Sequence, residues 1–331
     1  MSPLLGKKTA QMREAAAAAG VGETQGTPLR VVPSEQPVAE RRSAAALVSL
    51  LRPHQWLKNL LVLLPVFLSH QWNNSAVVRD ALLAFVCFCA TASAVYVSND
   101  LCDMEADRRH ATKRFRPLAA GTVSKPTAVV MIVLLLGFAA ALVARLPLAF
   151  GITLLVYFVV SSLYSLYLKT KVILDICVLA GLYTIRLFAG GAATHIRISE
   201  WTLAFAMFCF LGLAAVKRYT ELHSLPEEPQ QVFRRGYQRS DQITVQVLGM
   251  TSMMMSVLVL ALYLHSPEVV VLYHRPDMLW LMCPVLMYWF GRVWIAASRG
   301  NMHSDPIVFA IRDKVSLMAA GIIVAIGLLC K

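Results

Sequence analysis

The sequence is poor in charged residues. Asp, Glu, Lys and Arg make up only 15% of its 331 positions, whereas hydrophobic residues make up 57% and the mean hydropathy is +0.60. Soluble domains are typically about 25% charged and about 45–50% apolar. The apolar residues also come in long runs, such as 81–97, 128–144 and 317–330, which are typical of membrane spans. The shortage of charge therefore argues against a soluble enzyme and against a disordered scaffold.

Motifs that would define other chemistries are also absent. The seven cysteines form no CxxC pair and the eight histidines form no HxxxH or HExxH pair, which excludes the usual zinc motifs. No GxSxG, Walker-type or GxGxxG segment occurs, which argues against a hydrolase elbow or a phosphate-binding loop. Residues 1–44 contain no continuous apolar core for a cleavable signal peptide. We interpret them as a disordered cytoplasmic tail and residues 45–331 as one transmembrane catalytic domain.

The apolar runs predict about nine transmembrane helices, and so an all-α integral membrane protein. The loops after even-numbered spans contain 14 Lys and Arg residues, against 4 in the loops after odd-numbered spans. Because basic loops stay in the cytoplasm, we expect the N-terminus and the even loops on the cytoplasmic side of the plasma membrane. The predicted spans are residues 54–69, 80–98, 127–145, 148–166, 173–193, 200–216, 243–264, 278–297 and 310–330.

The net charge of +12 does not indicate a nucleic-acid partner. No basic helix with interleaved aromatic residues is present, and the Lys and Arg residues fall between apolar runs. In a membrane protein such charge orients the chain, contacts anionic lipids or binds an anionic substrate.

The second predicted span ends in a cluster of oxygen-bearing side chains at Asn99, Asp100, Asp103 and Asp107. On a continuous helix these four share an arc of roughly 100°, because each residue turns the helix by about 100°. Carboxylate and amide oxygens clustered in this way suit Mg²⁺. The alternative is an ordinary solvated acidic helix end, although polar clusters at the edge of a membrane span are usually functional.

Basic residues follow directly, at Arg108, Lys113, Arg114 and Arg116 among others. Five cations beside three aspartates indicate a site where metal and cations converge on a diphosphate, with arginines contacting its oxygens. The alternative is that the loop is basic only because it is cytoplasmic.

Further ionisable residues lie at or near predicted spans. Lys217 and Glu221 close the sixth span and are also spaced for a simple helix-surface ion pair. Arg186 lies well inside the fifth span, which requires a partner or a polar cavity. Lys58 is either a snorkelling anchor or a phosphate ligand.

With these residues, the chain resembles the UbiA-type superfamily of integral-membrane polyprenyl transferases over residues 48–325. Within it, the chain is most similar to the decaprenyl-phosphate phosphoribosyltransferases, through residues 52–59, 99–121 and 217–223. Members that use prenyl diphosphate typically have two acids near the fifth span, whereas this chain has Asp175 and then Leu179. The resemblance implies a UbiA-like arrangement of nine helices around a central polar cavity with its aspartates at the cytoplasmic side.

The resemblance also implies the reaction. Phosphoribosyl diphosphate would be the donor, a polyprenyl (decaprenyl) phosphate the acceptor and Mg²⁺ the cofactor, in a step toward arabinofuranose donors for the cell envelope. Asp100, Asp103 and Asp107 would be catalytic through the metal, with Asn99 as a fourth ligand. The predicted substrate-binding residues are Lys58, Arg108, Lys113, Arg114, Arg116, Asp175, Arg186, Lys217, Arg218, Tyr219 and Glu221.

Two other functions stay open at this point. One is an aromatic prenyltransferase that uses polyprenyl diphosphate to make a quinone or haem precursor. The other is a transporter or lipid-binding protein that uses the same cavity without chemistry. The sequence also leaves open whether the chain forms a homo-oligomer.

Overall fold

A computed structural model describes residues 44–110, 112–224, 236–267, 269, 273–302 and 305–330 of the chain. The regular structure within these residues is helical, as the sequence predicts, and none of them lies in a β-strand. The predicted tail over residues 1–44 lies outside the described residues except for Ala44, so its conformation stays a prediction.

The described chain is built from α-helices and short 3₁₀ segments. Five 3₁₀ segments lie between the helices, at Pro53–Leu63, Lys113–Phe115, Leu168–Thr170, Arg239–Asp241 and Pro276–Leu281. In chain order the α-helices are α1 (Ala44–Leu51), α2 (Leu64–Leu68), α3 (Ser75–Cys102), α4 (Met104–Arg108), α5 (Pro117–Ala120), α6 (Lys125–Val143), α7 (Leu148–Leu166), α8 (Leu174–Thr194), α9 (Glu200–His223), α10 (Gln242–Leu264), α11 (Met282–Ser298), α12 (Pro306–Arg312) and α13 (Lys314–Leu329).

Polar residues define where the long helices begin. The side chain of Asn74 accepts hydrogen bonds from the backbone N–H groups of Ala76 and Val77 at the start of α3. Ser124 and Ser199 cap α6 and α9 in the same way. Such caps satisfy backbone donors that a helix leaves unpaired at its first turn, and here they define the first residues of α3, α6 and α9.

Seven helical stretches in the described residues are long and apolar enough to cross a membrane, and each matches a predicted span. The predicted count of nine is not confirmed. The first predicted span, 54–69, forms the 3₁₀ segment Pro53–Leu63 and the short helix α2 instead. The last is divided between the end of α12 and α13. The 16 residues of α13 reach only about 24 Å, less than a hydrocarbon core of about 30 Å.

Helix α3 lies at the centre of the bundle, whereas α6 lies at its edge. The apolar window of α3 is 67% buried and that of α6 only 11%. Small residues such as Ala92 and Ser93 let α3 pack closely against its neighbours, while Val133 and Leu134 on α6 are well exposed. Apolar side chains on an outer face are those expected to contact lipid.

A glycine on α8 lets the first 3₁₀ segment pack directly against this helix. A Cβ atom at Gly190 would lie 2.0 Å from the backbone oxygen of Val62, so only glycine permits this contact. The approach brings Asn59 against Arg186 on α8, and the Nε of Arg186 donates to the Asn59 Oδ1 at 2.9 Å. Packing on α8 therefore places the segment that contains Lys58 beside the centre of the bundle.

Candidate functional site

A polar cavity of about 450 Å³ opens between α3, α7, α8 and α9. Its acidic lining residues are Glu221 and Asp305, and four tyrosines form part of its wall. The cationic lining residues outnumber the acidic ones three to one and are Arg52, Lys58, Lys113, Arg116, Arg186 and Lys217. A cavity with this excess of positive charge favours a ligand with several negative charges.

The aspartate cluster is not on one continuous helix. Helix α3 ends at Cys102, Asp103 has φ −88° and ψ 2°, and α4 begins at Met104. The helical hydrogen-bond pattern continues through the break, because Asp103 N–H donates to the oxygen of Asn99 and Asp107 N–H donates to that of Asp103. The predicted arc of four side chains is therefore distorted at Asp103.

Two of the aspartates share one cationic partner. An Arg116 Nη1 lies 3.1 Å from an Asp100 oxygen and 2.7 Å from an Asp107 oxygen, and Arg52 donates to Asp100 at 2.5 Å. Asp100 and Asp107 are buried, whereas the Asp103 side chain is 48% exposed and lies 3.7 Å from the Nζ of Lys169. The structure thus brings Asp100 and Asp107 together and turns Asp103 toward Lys169.

These donors fit a magnesium ion in their chemistry. Carboxylate oxygens are what Mg²⁺ prefers, and those of Asp100 and Asp107 already converge on one positive group, the Arg116 guanidinium. Asn99 lines the cavity nearby, and its amide donates to the Ser165 hydroxyl at 2.8 Å. Within the described part of the chain, no three His, Cys, Asp or Glu side chains are already grouped to hold a metal.

The basic loop contributes two of its predicted residues to the cavity. Lys113 and Arg116 line it. Arg108 donates instead to the backbone oxygen of Ala119 at 3.2 Å. The Arg114 guanidinium lies 4.8 Å from the ring centre of Phe115, which is itself exposed. Arg108 and Arg114 are therefore outside the cavity lining.

Lys58, Lys217 and Asp305 form a buried cluster at the cavity wall. The Asp305 Oδ2 is paired with the ammonium group of Lys58 and lies 3.9 Å from that of Lys217. Burial would raise the pKa of the Asp305 carboxyl, but the two ammonium groups outweigh burial and hold that pKa below its ordinary value. Asp305 is thus ionised at neutral pH.

Arg186 is held in the cavity wall by neutral partners. Its guanidinium donates to Asn59 and, at 3.1 Å, to the hydroxyl of Tyr157, whose ring it also covers at 4.8 Å. These partners are neutral, so they satisfy the donors of the guanidinium without cancelling its charge. The predicted polar environment of Arg186 therefore exists.

A second buried network lies behind Glu221. Arg218 is completely buried and is paired with both Glu221 and Asp175. Asp175 also accepts a hydrogen bond from the hydroxyl of Tyr237, and burial together with this bond raises the pKa of Tyr237. Glu221 lines the cavity, whereas Asp175 and Arg218 do not. These two residues support the cavity wall rather than line it.

Tyr219 also lies away from the cavity lining. Its ring stacks on His223 at 5.9 Å and meets the edge of Trp294 at 5.5 Å. It therefore packs in the core between α9 and α11.

Arg52, Asp305 and the cavity tyrosines are not among the site residues predicted from the sequence, although Asp305 is noticeable there as an acid just before the last predicted span. The signal for Asp305 is weak, because an acid before an apolar helix is also an ordinary helix cap, and Asp305 does accept from the Ile307 N–H at 3.1 Å. The tyrosines resemble ordinary apolar residues of a span. The four that line the cavity are Tyr96, Tyr157, Tyr164 and Tyr183.

Comparison with known proteins identifies relatives over most of the chain. The model of the UbiA prenyltransferase family matches residues 60–316. The uncharacterized protein y4nM of Sinorhizobium fredii is 34% identical over 83% of this chain, and the chain spans 54% of the length of that protein. The nodulation protein NoeC of Azorhizobium caulinodans is 34% identical over 81% of this chain and 87% of its own length.

A third relative has a named activity. The decaprenyl-phosphate phosphoribosyltransferase of Mycobacterium tuberculosis is 40% identical over 54% of this chain and 61% of its own length. Among solved structures, a UbiA homolog from Archaeoglobus fulgidus bound to GPP and Mg²⁺ aligns with a TM-score of 0.63 and 16% identity, over 86% of this chain and 99% of that one. At this identity the structural likeness shows the fold alone.

Proposed function

The chain belongs to the UbiA prenyltransferase family, whose members are multi-pass membrane transferases, and we propose that it transfers a 5-phosphoribosyl group from phosphoribosyl diphosphate to a polyprenyl phosphate. The observation that supports this most strongly is the cavity lined by six cations and two acids. Two phosphorylated substrates together supply the negative charge that such a lining attracts. The similarity to decaprenyl-phosphate phosphoribosyltransferases supports the choice of donor and acceptor.

The proposed reaction exchanges one C–O bond for another. A phosphate oxygen of the lipid forms a bond to C1 of the ribose, while the bond from C1 to the diphosphate oxygen breaks. The diphosphate leaves with the bonding electrons. The lipid phosphate is already ionised near neutral pH, since a phosphate monoester has its second pKa near about 6. No side chain is therefore needed as a general base.

The residues of the chain would hold the donor by its diphosphate. Arg52 and Arg116 line the cavity and contact Asp100, and Lys113 lines the same cavity. An arginine can bind two phosphate oxygens at once. Asp100 and Asp107, with Asn99 and Asp103 close by in the chain, would hold a Mg²⁺ ion there. When bound, such an ion neutralises charge on a departing diphosphate. Charge stabilisation of this kind is often the largest contribution to catalysis.

The ribose ring would lie where polar neutral groups meet the cations. Glu221, anchored by Arg218, is a carboxylate that can accept hydrogen bonds from ribose hydroxyls. Arg186 beside Tyr157 offers a further cation for the 5-phosphate. The basic loops and the aspartates would face the cytoplasm, and the product would serve arabinofuranose donors for the cell envelope.

Labelled donors test the proposal. Membranes that contain the protein are incubated with Mg²⁺, decaprenyl phosphate and phosphoribosyl diphosphate labelled in the ribose. We expect label in the organic-soluble lipid only when the lipid phosphate is added, together with release of diphosphate.

A parallel incubation tests the second candidate, an aromatic prenyltransferase, which the description of the matching family as prenyltransferases favours. It uses labelled polyprenyl diphosphate and an aromatic acid as acceptor. Transfer from the prenyl diphosphate alone would show that the phosphoribosyl proposal is wrong.

A further inference from the structure

A second cavity lies beside the polar one and differs from it in character. This apolar pocket of about 400 Å³ is formed by the first 3₁₀ segment, α2, α9 and α12. Except for one residue its lining is entirely aliphatic or aromatic, with Leu61, Phe67, Phe210 and Ile307 among the lining side chains. The exception is Lys58, which also lines the polar cavity. Lys58 therefore stands at the junction of the two.

The two substrates of the proposed reaction differ in the same way as the two cavities. The donor is polar throughout, whereas the acceptor has a phosphate head on an apolar chain. A head group and chain of that kind match a lysine at the inner end of an apolar pocket, since the ammonium group binds the phosphate and the pocket takes the chain. For the diphosphate of the donor, the corresponding cation is Arg116, which contacts Asp100.

Asp305 is the acidic partner of both lysines at the wall of the polar cavity. One oxygen of its carboxylate is held by the ammonium groups of both Lys58 and Lys217, which is how a phosphate oxygen is bound by a pair of cations. All three residues are largely buried, so the lysines would be costly to leave without a negative partner. Asp305 supplies that partner while the site holds no lipid.

We propose that the cations of the polar cavity are divided between the substrates, with Lys58 and Lys217 serving the acceptor phosphate, which binds by replacing Asp305 as the partner of Lys58. Asp305 is then a competitor of the lipid phosphate, since it pairs with the two lysines until the lipid binds. This inference rests on the proposed function. It also makes the site selective for a lipid with an anionic head, because a neutral head group cannot displace a carboxylate from an ammonium group.

The division predicts opposite effects for two substitutions in contact with each other. Lys58→Met keeps the apolar stem and removes the charge, so it should weaken binding of farnesyl phosphate, a short polyprenyl phosphate, by about tenfold. Asp305→Asn keeps a side-chain oxygen for the Ile307 N–H and removes the competing charge. It should therefore tighten farnesyl phosphate binding, by about threefold. General structural damage would weaken binding in both variants.

The experiment measures dissociation constants on the full chain in detergent at pH 7, with farnesyl phosphate, farnesol and phosphoribosyl diphosphate as probes. Lys113→Met is the matched control, because Lys113 lines the polar cavity but not the apolar pocket. We expect Lys58→Met to leave phosphoribosyl diphosphate binding within about twofold, and Lys113→Met to show the reverse preference. Farnesol should bind the wild type and Lys58→Met alike.

Two results would overturn the inference. One is equal loss of donor and acceptor binding in Lys58→Met, and the other is unchanged or weaker farnesyl phosphate binding in Asp305→Asn. If Lys58→Met does not fold, the Asp305→Asn result decides alone. If the wild type transfers phosphoribosyl groups and either of these results is found, only the proposed division of cations between the substrates is wrong. If the wild type shows neither transfer nor farnesyl phosphate binding, the proposed function itself is wrong.

Discussion

The hydroxyl of Tyr237 donates a hydrogen bond of 2.5 Å to the carboxylate of Asp175, 62 positions earlier in the chain. The same hydroxyl accepts from the backbone N–H of Ile173 at 2.8 Å. Tyr237 is completely buried although it lies outside the long helices, in the connection between α9 and α10. This single side chain therefore ties that connection to the start of α8.

Replacement of Tyr237 by phenylalanine should destabilise the protein. It removes a donor from a buried carboxylate, and loss of such a bond typically costs about 1–3 kcal/mol. We expect a lower thermal unfolding midpoint in detergent. The control is Tyr288→Phe, because Tyr288 is 61% exposed on α11 and its replacement should leave the midpoint unchanged. Equal midpoints for both variants would show that the Tyr237 bond contributes nothing.

Gly190→Ala should disturb the cavity through packing. The added methyl group would meet the backbone oxygen of Val62, and relief of such overpacking typically costs about 1–3 kcal/mol. Because the displaced segment contains Lys58, affinity for the acceptor should fall together with the unfolding midpoint. Gly181→Ala is the matched control on α8, since no atom lies within 4 Å of its added Cβ. A normal midpoint in Gly190→Ala would contradict this account of the segment.

Asp100→Asn should abolish transfer and leave the protein folded. Asn keeps the size of the side chain but removes the charge that binds Arg52 and Arg116 and that would bind Mg²⁺. We expect loss of activity by a factor of about 100 or more, measured as lipid-soluble ribose label over a range of Mg²⁺ concentrations. The control is Glu105→Gln, an exposed acid of the same region. Full activity of Asp100→Asn at high Mg²⁺ would contradict the metal assignment.

The ion pair between Arg292 and Asp313 should make stability depend on pH. The hydrogen bonds from the Arg292 guanidinium, one of them 2.9 Å long, lower the pKa of the Asp313 carboxyl. A lowered pKa in the folded state means that the pair stabilises above the unfolded value of about 4. That contribution is lost as the pH falls through the folded pKa.

Asp313→Asn is the variant that tests this dependence. Its unfolding midpoint should lie below that of the wild type at pH 7, and the difference should shrink as the pH is lowered below about 4. Asn still accepts from the Ser316 N–H at the start of α13, so the cap is retained. Asp277→Asn, at an exposed position, controls for the loss of one carboxylate. A difference that persists unchanged at low pH would exclude the pair as its cause.

The long spans could be predicted from the sequence because they depend on local composition. A run of about 20 apolar residues forms a helix in almost any membrane context, and the seven spans follow from that. The first and last predicted spans differ from the helices in the structure, because hydropathy does not indicate where a helix is interrupted. Arg52 adopts a left-handed conformation with φ 51°, immediately before Pro53 begins a 3₁₀ segment.

The site was predictable to a smaller extent, because much of it depends on contacts between residues that are distant in the sequence. In the sequence, Lys113 stands out as part of a basic loop beside three aspartates. Lys217 stands out as a charge at the end of a span, and Arg186 as a charge inside one. The structure places all three in the cavity lining. Arg218 and Lys217 are adjacent on α9. Which of the two lines the cavity depends on which face of the helix packs against α8. That is a matter of tertiary packing, as is the pairing of Lys58 with an acid 247 positions away.

The long separation between Lys58 and Asp305 has a consequence for biosynthesis. The ribosome synthesises the segment that contains Lys58 long before it reaches Asp305. During most of membrane insertion the growing chain therefore contains Lys58 but not yet Asp305. The junction between the two cavities is therefore among the last features to be completed. Chains truncated before Asp305 would contain the three aspartates of residues 100–107 and the basic loop but would lack the ion pair between Lys58 and Asp305 at this junction.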